Sequence, residues 1–350
     1  MFRKLLATLL ISTAVIAHAD YRFIVPQEPG AGTSIWATFV AREMEKKLGE
    51  KIVIEHIPGA RDIPGANKFQ NELRFDNKTV MVAHGGNAES FLLEKVDYKY
   101  SDWTPIGLQN LSIVVGYKKD TDTSKEIRFA AGSGNNPDAM AMTLLVCGPM
   151  ATMQAYAECY KTHFKFVNGM KANERRLAYM RGELNAQRET PIAWNKLYAA
   201  MPESVTWFSH GILDIKTGKT MSDTNYPGKG SFQEVYKAKW GVAPKGDLYD
   251  AYMLVKSYRD VLQKSLWVNK GNPNADKLTK ALQDTLSDPV SLKAIEENTG
   301  KYPWLVGKDA YKATDALAKL TTRKALKDLV WWSTTVFGVE AIYKDDIAMK

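Results

Sequence analysis

Two short apolar runs, about 100 residues apart, each lead into a glycine-rich loop that opens a helix. The first is Tyr21–Val25, stopped by Pro26 and followed by the loop Gln27–Ser34. Ile35, Trp36, Phe39, Val40, Met44 and Leu48 then recur at helical spacing, and Gly49 ends the helix. Thr33 and Ser34 stand where its N-cap belongs. The second is Ile127–Ala131, then the loop Gly132–Asn136, then Pro137 at the first position of a helix running to about Val146. Further strands are expected at Lys51–Glu55 and at Thr79–Ala83, the latter running into His84-Gly85-Gly86-Asn87. This alternation predicts an α/β protein with parallel, doubly wound sheets. Leu111–Tyr117 reads as a strand crossing between the two units. From Asp247 onward the pattern is helical, as in a chain that returns to finish its first lobe. The lobes are therefore expected at about 20–116 plus 240–350 and about 117–239.

Composition narrows the function. At 350 residues the chain has room for roughly two domains. Two cysteines exclude a cysteine-rich zinc protein, and 25% charged residues fit an ordinary globular chain. The net charge of +8 is mild and comes without clustered Lys and Arg, so nucleic acid is not an expected partner. Arg3 and Lys4 precede a mostly apolar run, Leu5–Ala17, and Ala17-His18-Ala19 has the small-residue pattern of a cleavage site. Together they read as a secretory signal peptide over 1–19, cleaved after Ala19, which sends the chain to the periplasm. In an oxidising compartment Cys147 and Cys159, twelve apart, can close a disulfide; the other reading is two separately buried thiols.

The loop Pro29-Gly30-Ala31-Gly32-Thr33-Ser34 has the chemistry of an anion site, because glycines allow close approach and a helix start offers unpaired N–H groups. Gly132–Asn136 repeats that chemistry in the second unit, which suggests an anion gripped between lobes; the bland reading is two structural turns. Catalytic patterns are missing. Ile35 stands where the dinucleotide fingerprint needs its third glycine, and no G-x-S-x-G elbow occurs. Gly218-Lys219-Thr220 ends like a P-loop, but Leu213 replaces its first glycine. His56, His84, His163 and His210 lack metal-ligand spacing, so neither a metal nor another cofactor is expected. His84, beside two glycines at a strand end, is the histidine to place in a cleft.

The stretches Phe23–Thr33 and Leu48–Ala60, with Gly65-Ala66 beyond, resemble the exported substrate receptors of tripartite tricarboxylate transporters, the Bug-type periplasmic binding proteins. Looser matches follow in order at Trp103–Gly107, Gly132–Gly134, Arg181–Asn185 and Trp240–Pro244. The resemblance implies a two-lobed periplasmic-binding-protein fold of type II character, each lobe a doubly wound sheet flanked by helices, with two strands crossing the hinge. It also implies closure on a small organic anion, a di- or tricarboxylate or an aromatic carboxylate. Carried over by position, the first-lobe contacts are Ala31, Gly32, Thr33 and Ser34, with His84 and Gly85. Those of the second lobe are Ser133, Gly134, Asn135 and Asn136, with the turn Val167-Asn168-Gly169.

The chain departs from the family pattern at informative places. Ser34 replaces the usual Asp after the first-loop Thr, His56 replaces the Asn of the second motif, and Asn185 replaces an Asp. Each removes a carboxylate or adds a donor, so ligand identity is not inherited. The leading expectation is a monomeric solute receptor, not an enzyme, that hands its ligand to membrane permease subunits. The alternatives are a carboxylate-sensing receptor for a signalling partner and a secreted enzyme.

Overall fold

The computed structural model describes residues 20–131, 136–198, 201–223, 225–226 and 230–341. The signal segment 1–19 and the loop residues Ser133, Gly134 and Asn135 lie outside the described residues. The first stretch runs β1 (Tyr21–Val25), α1 (Gly32–Leu48), β2 (Ile52–His56), α2 (Ile63–Asn71), β3 (Thr79–His84), α3 (Gly85–Leu93) and β4 (Trp103–Gln109). The middle runs β5 (Val114–Lys118), β6 (Ile127–Ala131), α4 (Pro137–Cys147), α5 (Met153–His163), β7 (Phe164–Asn168), α6 (Ala172–Met180), β8 (Ala186–Glu189), α7 (Pro191–Leu197) and β9 (Ser204–Ser209). The last third runs β10 (Ile212–Leu213), β11 (Thr220–Met221), α8 (Phe232–Trp240), α9 (Asp247–Val261), β12 (Lys264–Asn269), α10 (Ala275–Ser287), α11 (Pro289–Thr299), β13 (Trp304–Val306), α12 (Lys308–Leu320) and α13 (Arg323–Phe337).

Six strands form one sheet in the order β13-β4-β12-β3-β1-β2. Its β1, β2 and β3 are parallel, as the strand–helix alternation predicts. Strand β12, arriving from the far end of the sequence, inserts antiparallel between β3 and β4, so the sheet is mixed rather than wholly parallel. Both faces are covered, and the two-residue period of a strand sorts side chains between them. Tyr21, Phe23, Val25, Val80, Val82 and Leu266 pack with Trp36, Val40 and Met44 of α1 and Leu278 and Leu282 of α10. Ile24, Met81, Ala83 and Trp267 face the opposite way, toward Phe69 and the aromatic group around Phe91, Tyr98, Tyr100 and Trp103.

The middle segment builds two smaller sheets, an antiparallel one ordered β8-β5-β9 and a parallel pair β6-β7. Trp194 lies flat against β5: a Cβ on Gly116 would stand 2.2 Å from its ring, so only glycine fits there. The chain passes between the large sheet and β5 through Asn110–Ile113 and returns beside it. The His210 amide donates to the Ile113 carbonyl at 2.8 Å, and Asn110 Nδ2 donates to the Leu213 carbonyl at 2.7 Å. The two crossing segments thus lie side by side and are hydrogen-bonded to each other. Helix α13 packs on both α5 and α9, with Trp332 and Phe337 against Tyr160. Among the described residues, no helix is long and apolar enough to cross a membrane.

Cys147, at the end of α4, is joined to Cys159 of α5 by a disulfide with Cα atoms 6.3 Å apart. A crosslink closing a loop this short restricts the unfolded chain and contributes about 3 kcal/mol in the chain-entropy account. Unfolded, unreduced protein is expected to show no free thiol, and the Cys147→Ser, Cys159→Ser double variant is expected to lose about 2–4 kcal/mol in urea unfolding. Two titratable thiols in the unreduced protein would contradict this.

Candidate functional site

Helix α1 begins at Gly32 with Ala31 as its N-cap, two residues earlier than the spacing of Thr33 and Ser34 suggests. Both side chains therefore lie inside the first turn, where they are buried, while Gly32 is exposed and Ala31 half-buried. Ala31 offers no capping oxygen, so this helix start is not closed by its own cap. The Thr33 amide donates to Gln27 Oε1 at 3.3 Å. Ser34 Oγ lies 2.8 Å from His56 Nε2, so two of the departures from the family pattern meet each other. Thr33 Oγ1 accepts a 2.6 Å hydrogen bond from Lys264 Nζ, which reaches across from β12.

Lys264 is 5% exposed and pairs in register with His84 on β3 and Gln109 on β4. Burial pushes its ammonium down to about 7, and only the more distant Asp62 carboxylate pulls it back. Gln109 Oε1 in turn accepts from Trp36 Nε1 at 2.8 Å, and Trp36 stacks on Trp304.

His84 caps α3. Its Nδ1 accepts from the Gly86 amide at 3.0 Å, which leaves the proton on Nε2, and Nε2 lies 2.7 Å from Asp62 Oδ2. Arg61 and Asp62 hold left-handed backbone, φ 54 and 63, that non-glycine residues rarely adopt. Helix α3 holds them there: Asn87 Nδ2 donates to the Asp62 carbonyl at 2.6 Å and Ser90 Oγ to that of Arg61 at 3.2 Å. Gly85 is a close-approach position, because a Cβ there would stand 2.3 Å from Gln263 Oε1 and 2.6 Å from Arg259 Cγ.

Facing this group is the start of α4. Asn136 is its N-cap, and Asn136 Oδ1 accepts from the Asp138 and Ala139 amides at 3.1 and 3.3 Å. Asp138 is fully buried. His210 Nε2 lies 2.8 Å from one of its oxygens, and Arg188 Nε and Arg259 Nη1 lie 2.9 and 3.5 Å from the other. Burial opposes the charge, but the His210 hydrogen bond and the Arg259 guanidinium hold its carboxyl below the usual range. His210 Nδ1 lies 2.9 Å from Tyr252 Oη. Arg259 Nη1 also pairs with Glu89 of α3 at 2.8 Å, and burial pushes the Glu89 carboxyl up to about 7 against that pairing. Arg259 thus joins a carboxylate under the large sheet to one at the start of α4. Arg259 Nε, Arg188 Nη1 and Gln263 Oε1 are buried without a hydrogen-bond partner among the described residues. Buried polar atoms of this kind mark a place where water or ligand belongs.

The remaining expected residues are at the rim. Asn168 and Gly169 are exposed at the end of β7, and Asn168 lines a 510 Å³ depression with Arg61, Glu94 and Phe337. Nearby, Lys171 Nζ reaches Glu28 Oε1 of the first loop at 2.5 Å. Asn185 is structural: its side chain holds the Arg128 amide and the Glu126 carbonyl at 2.6 and 2.9 Å. Sequence motifs missed Lys264, Arg259, Glu89, Asp138 and Arg188, which come from five elements. One signal existed: Arg259 falls seven residues after Tyr252 and four after Val255, on the apolar stripe of α9. No group of three or more His, Cys, Asp or Glu among the described residues could hold a metal ion.

No protein-family profile and no curated protein sequence matches the chain. Solved structures do. The periplasmic binding protein BugD superposes with a TM-score of 0.60 at 17% identity, over 90% of this chain and 97% of its own. MatC of Rhodopseudomonas palustris, solved with bound malate, gives 0.58 at 17% identity over 91% and 98%. A second R. palustris protein, solved with adipate, gives 0.60 at 12% identity over 90% and 98%. The chain has the fold of the Bug-type periplasmic binding proteins, as the motif resemblance implies.

The buried lysine makes a prediction about stability. Between pH 7 and 10.5 the unfolded chain holds a proton that folded Lys264 has released, so this side chain makes stability rise with pH across that window. Below pH 7 its cost is complete and constant. Ligand-free Lys264→Met is therefore expected to be more stable than wild type at pH 7, with the gain shrinking toward pH 10, as read by urea unfolding. A gain that does not change with pH would contradict the assignment.

Proposed function

We propose that the protein is a periplasmic solute receptor that closes on a small dicarboxylate and delivers it to a membrane permease of the tripartite tricarboxylate type. The observation that carries this reading is the pairing of an α1 start whose N-cap residue offers no side-chain oxygen, backed by Lys264, with cationic and unpartnered polar groups held between α3, α4 and α9. Helix-start amides and buried cations together are suited to an anion. The fold supports the reading, since neighbours with it were solved with malate and adipate.

In this reading residues 20–116 and 240–350 form one lobe and 117–239 the other, turning about the paired crossings at 110–113 and 210–213. Residues 1–19 direct export and are removed after Ala19. The ligand contacts are Ala31, Gly32, Thr33, Ser34, His84 and Gly85 from one side. From the other come Ser133, Gly134, Asn135 and Asn136, with Asn168 and Gly169 at the rim.

Malate, adipate or a related dicarboxylate is expected to raise the melting temperature of the mature protein without turnover. Binding to the native state alone contributes about 2.7 kcal/mol at a hundredfold excess over Kd. With unfolding entropy scaling with chain length, this is a rise of about 4 °C. Matching amides, which lose the charge-assisted hydrogen bonds, are expected to give little. A panel of carboxylates without effect, beside a sugar or nucleotide with one, would overturn the proposal.

A further inference from the structure

We infer that Lys264 is the charged partner of the ligand's first carboxylate, so that the site selects its anion through an ion pair buried beside the first turn of α1. This rests on the receptor reading above. The ammonium is more than nine-tenths buried, yet among the described residues it has no carboxylate within 4 Å and one hydrogen bond, to Thr33 Oγ1. An ammonium has three donors, and a buried charge without a counter-ion is costly. An apolar residue in β12 would fill the same space at lower cost, so the cost implies a counter-ion that arrives from outside. Thr33 shows where it arrives: the lysine is aimed at a helix start that carries no acidic residue in its first turn and whose N-cap residue, Ala31, offers no side-chain oxygen. Gln263 Oε1, buried and without a hydrogen-bond partner among the described residues, is a second open polar atom, close against Gly85 next to His84. A hydroxyl next to the ligand's carboxylate would satisfy that oxygen.

The groups facing Lys264 are few. His84 opposes it on β3 with Asp62 behind, Gln109 opposes it on β4, and Arg259 and Gln263 close the end of α9. Glu89 on α3 is the next carboxylate, and Arg259 already engages it. Because burial brings Lys264 down to about 7, most of it has lost its proton by pH 8, and a carboxylate that pairs with it draws a proton onto Nζ from solvent. Ligand capture above pH 7 therefore includes uptake of one proton by the lysine nitrogen. Glu89 also titrates near this pH, so the assignment requires a variant that keeps Glu89 and removes the lysine.

The test is calorimetry with malate on the full mature chain at pH 8, in two buffers of different ionisation enthalpy. Wild type is expected to take up close to one proton, with affinity falling up to about tenfold per pH unit above the lysine's value. Lys264→Met is expected to bind about ten- to a hundredfold more weakly with little proton uptake. Lys264→Arg, which keeps a charge that does not titrate, is expected to recover part of the affinity without the uptake. Zero uptake in wild type overturns the inference whether or not the variants fold. So does a folded Lys264→Met that binds as tightly as wild type, and both results leave the receptor reading standing. If wild type binds no carboxylate in the panel, that reading and this inference fall together.

Discussion

Asp138 is the buried charge that draws together the most distant parts of this chain. It has no access to water, and its partners come from three separate parts of the chain: Arg188 on β8, His210 at the second crossing and Arg259 near the end of α9. A lone buried carboxylate would cost several kcal/mol or take up a proton. Three cationic or donor groups keep it ionised. Removing any one leaves the remaining charges misbalanced in a low-dielectric interior, so losing a single partner costs more than the intact cluster contributes. Arg259 extends the constraint to Glu89, and through α3 to the strained Arg61-Asp62 turn and the His84 cap.

Most of the scaffold was legible because it is written in local patterns. The apolar run Tyr21–Val25, the stop at Pro26 and the helical spacing from Ile35 placed the first strand and helix closely. Pro137 marked the start of α4. What local pattern could not supply was the direction of β12. Nor did it supply the strand itself: from Asp247 onward the pattern reads as helical, whereas Lys264–Asn269 forms a fully buried strand inserted antiparallel between β3 and β4. The helix boundary at Gly32 was also missed, since hydroxyls at Thr33 and Ser34 resemble caps and only the structure shows both turned inward, one to Lys264 and one to His56.

The site was legible in part for the same reason. Glycine loops announce themselves over a few residues, and the structure places Thr33, Ser34, His84 and Gly85 around one side of the seam. The charged residues that face them are each ordinary in sequence and acquire meaning only from long-range contact, as with Lys264 and Thr33, 231 positions apart. The family departures divide likewise. Ser34 and His56 are a matched exchange in contact with each other, whereas Asn185 supports the backbone of β6 and has no part in the seam.

The salt bridge between Glu28 and Lys171 differs from those beneath it in being exposed on both partners. It spans the outer edge, linking the first loop to the turn after β7, and dissolved ions weaken it readily while leaving the Asp138 cluster nearly untouched. The contact between the first loop and the turn after β7 is therefore the one that ionic strength reaches first.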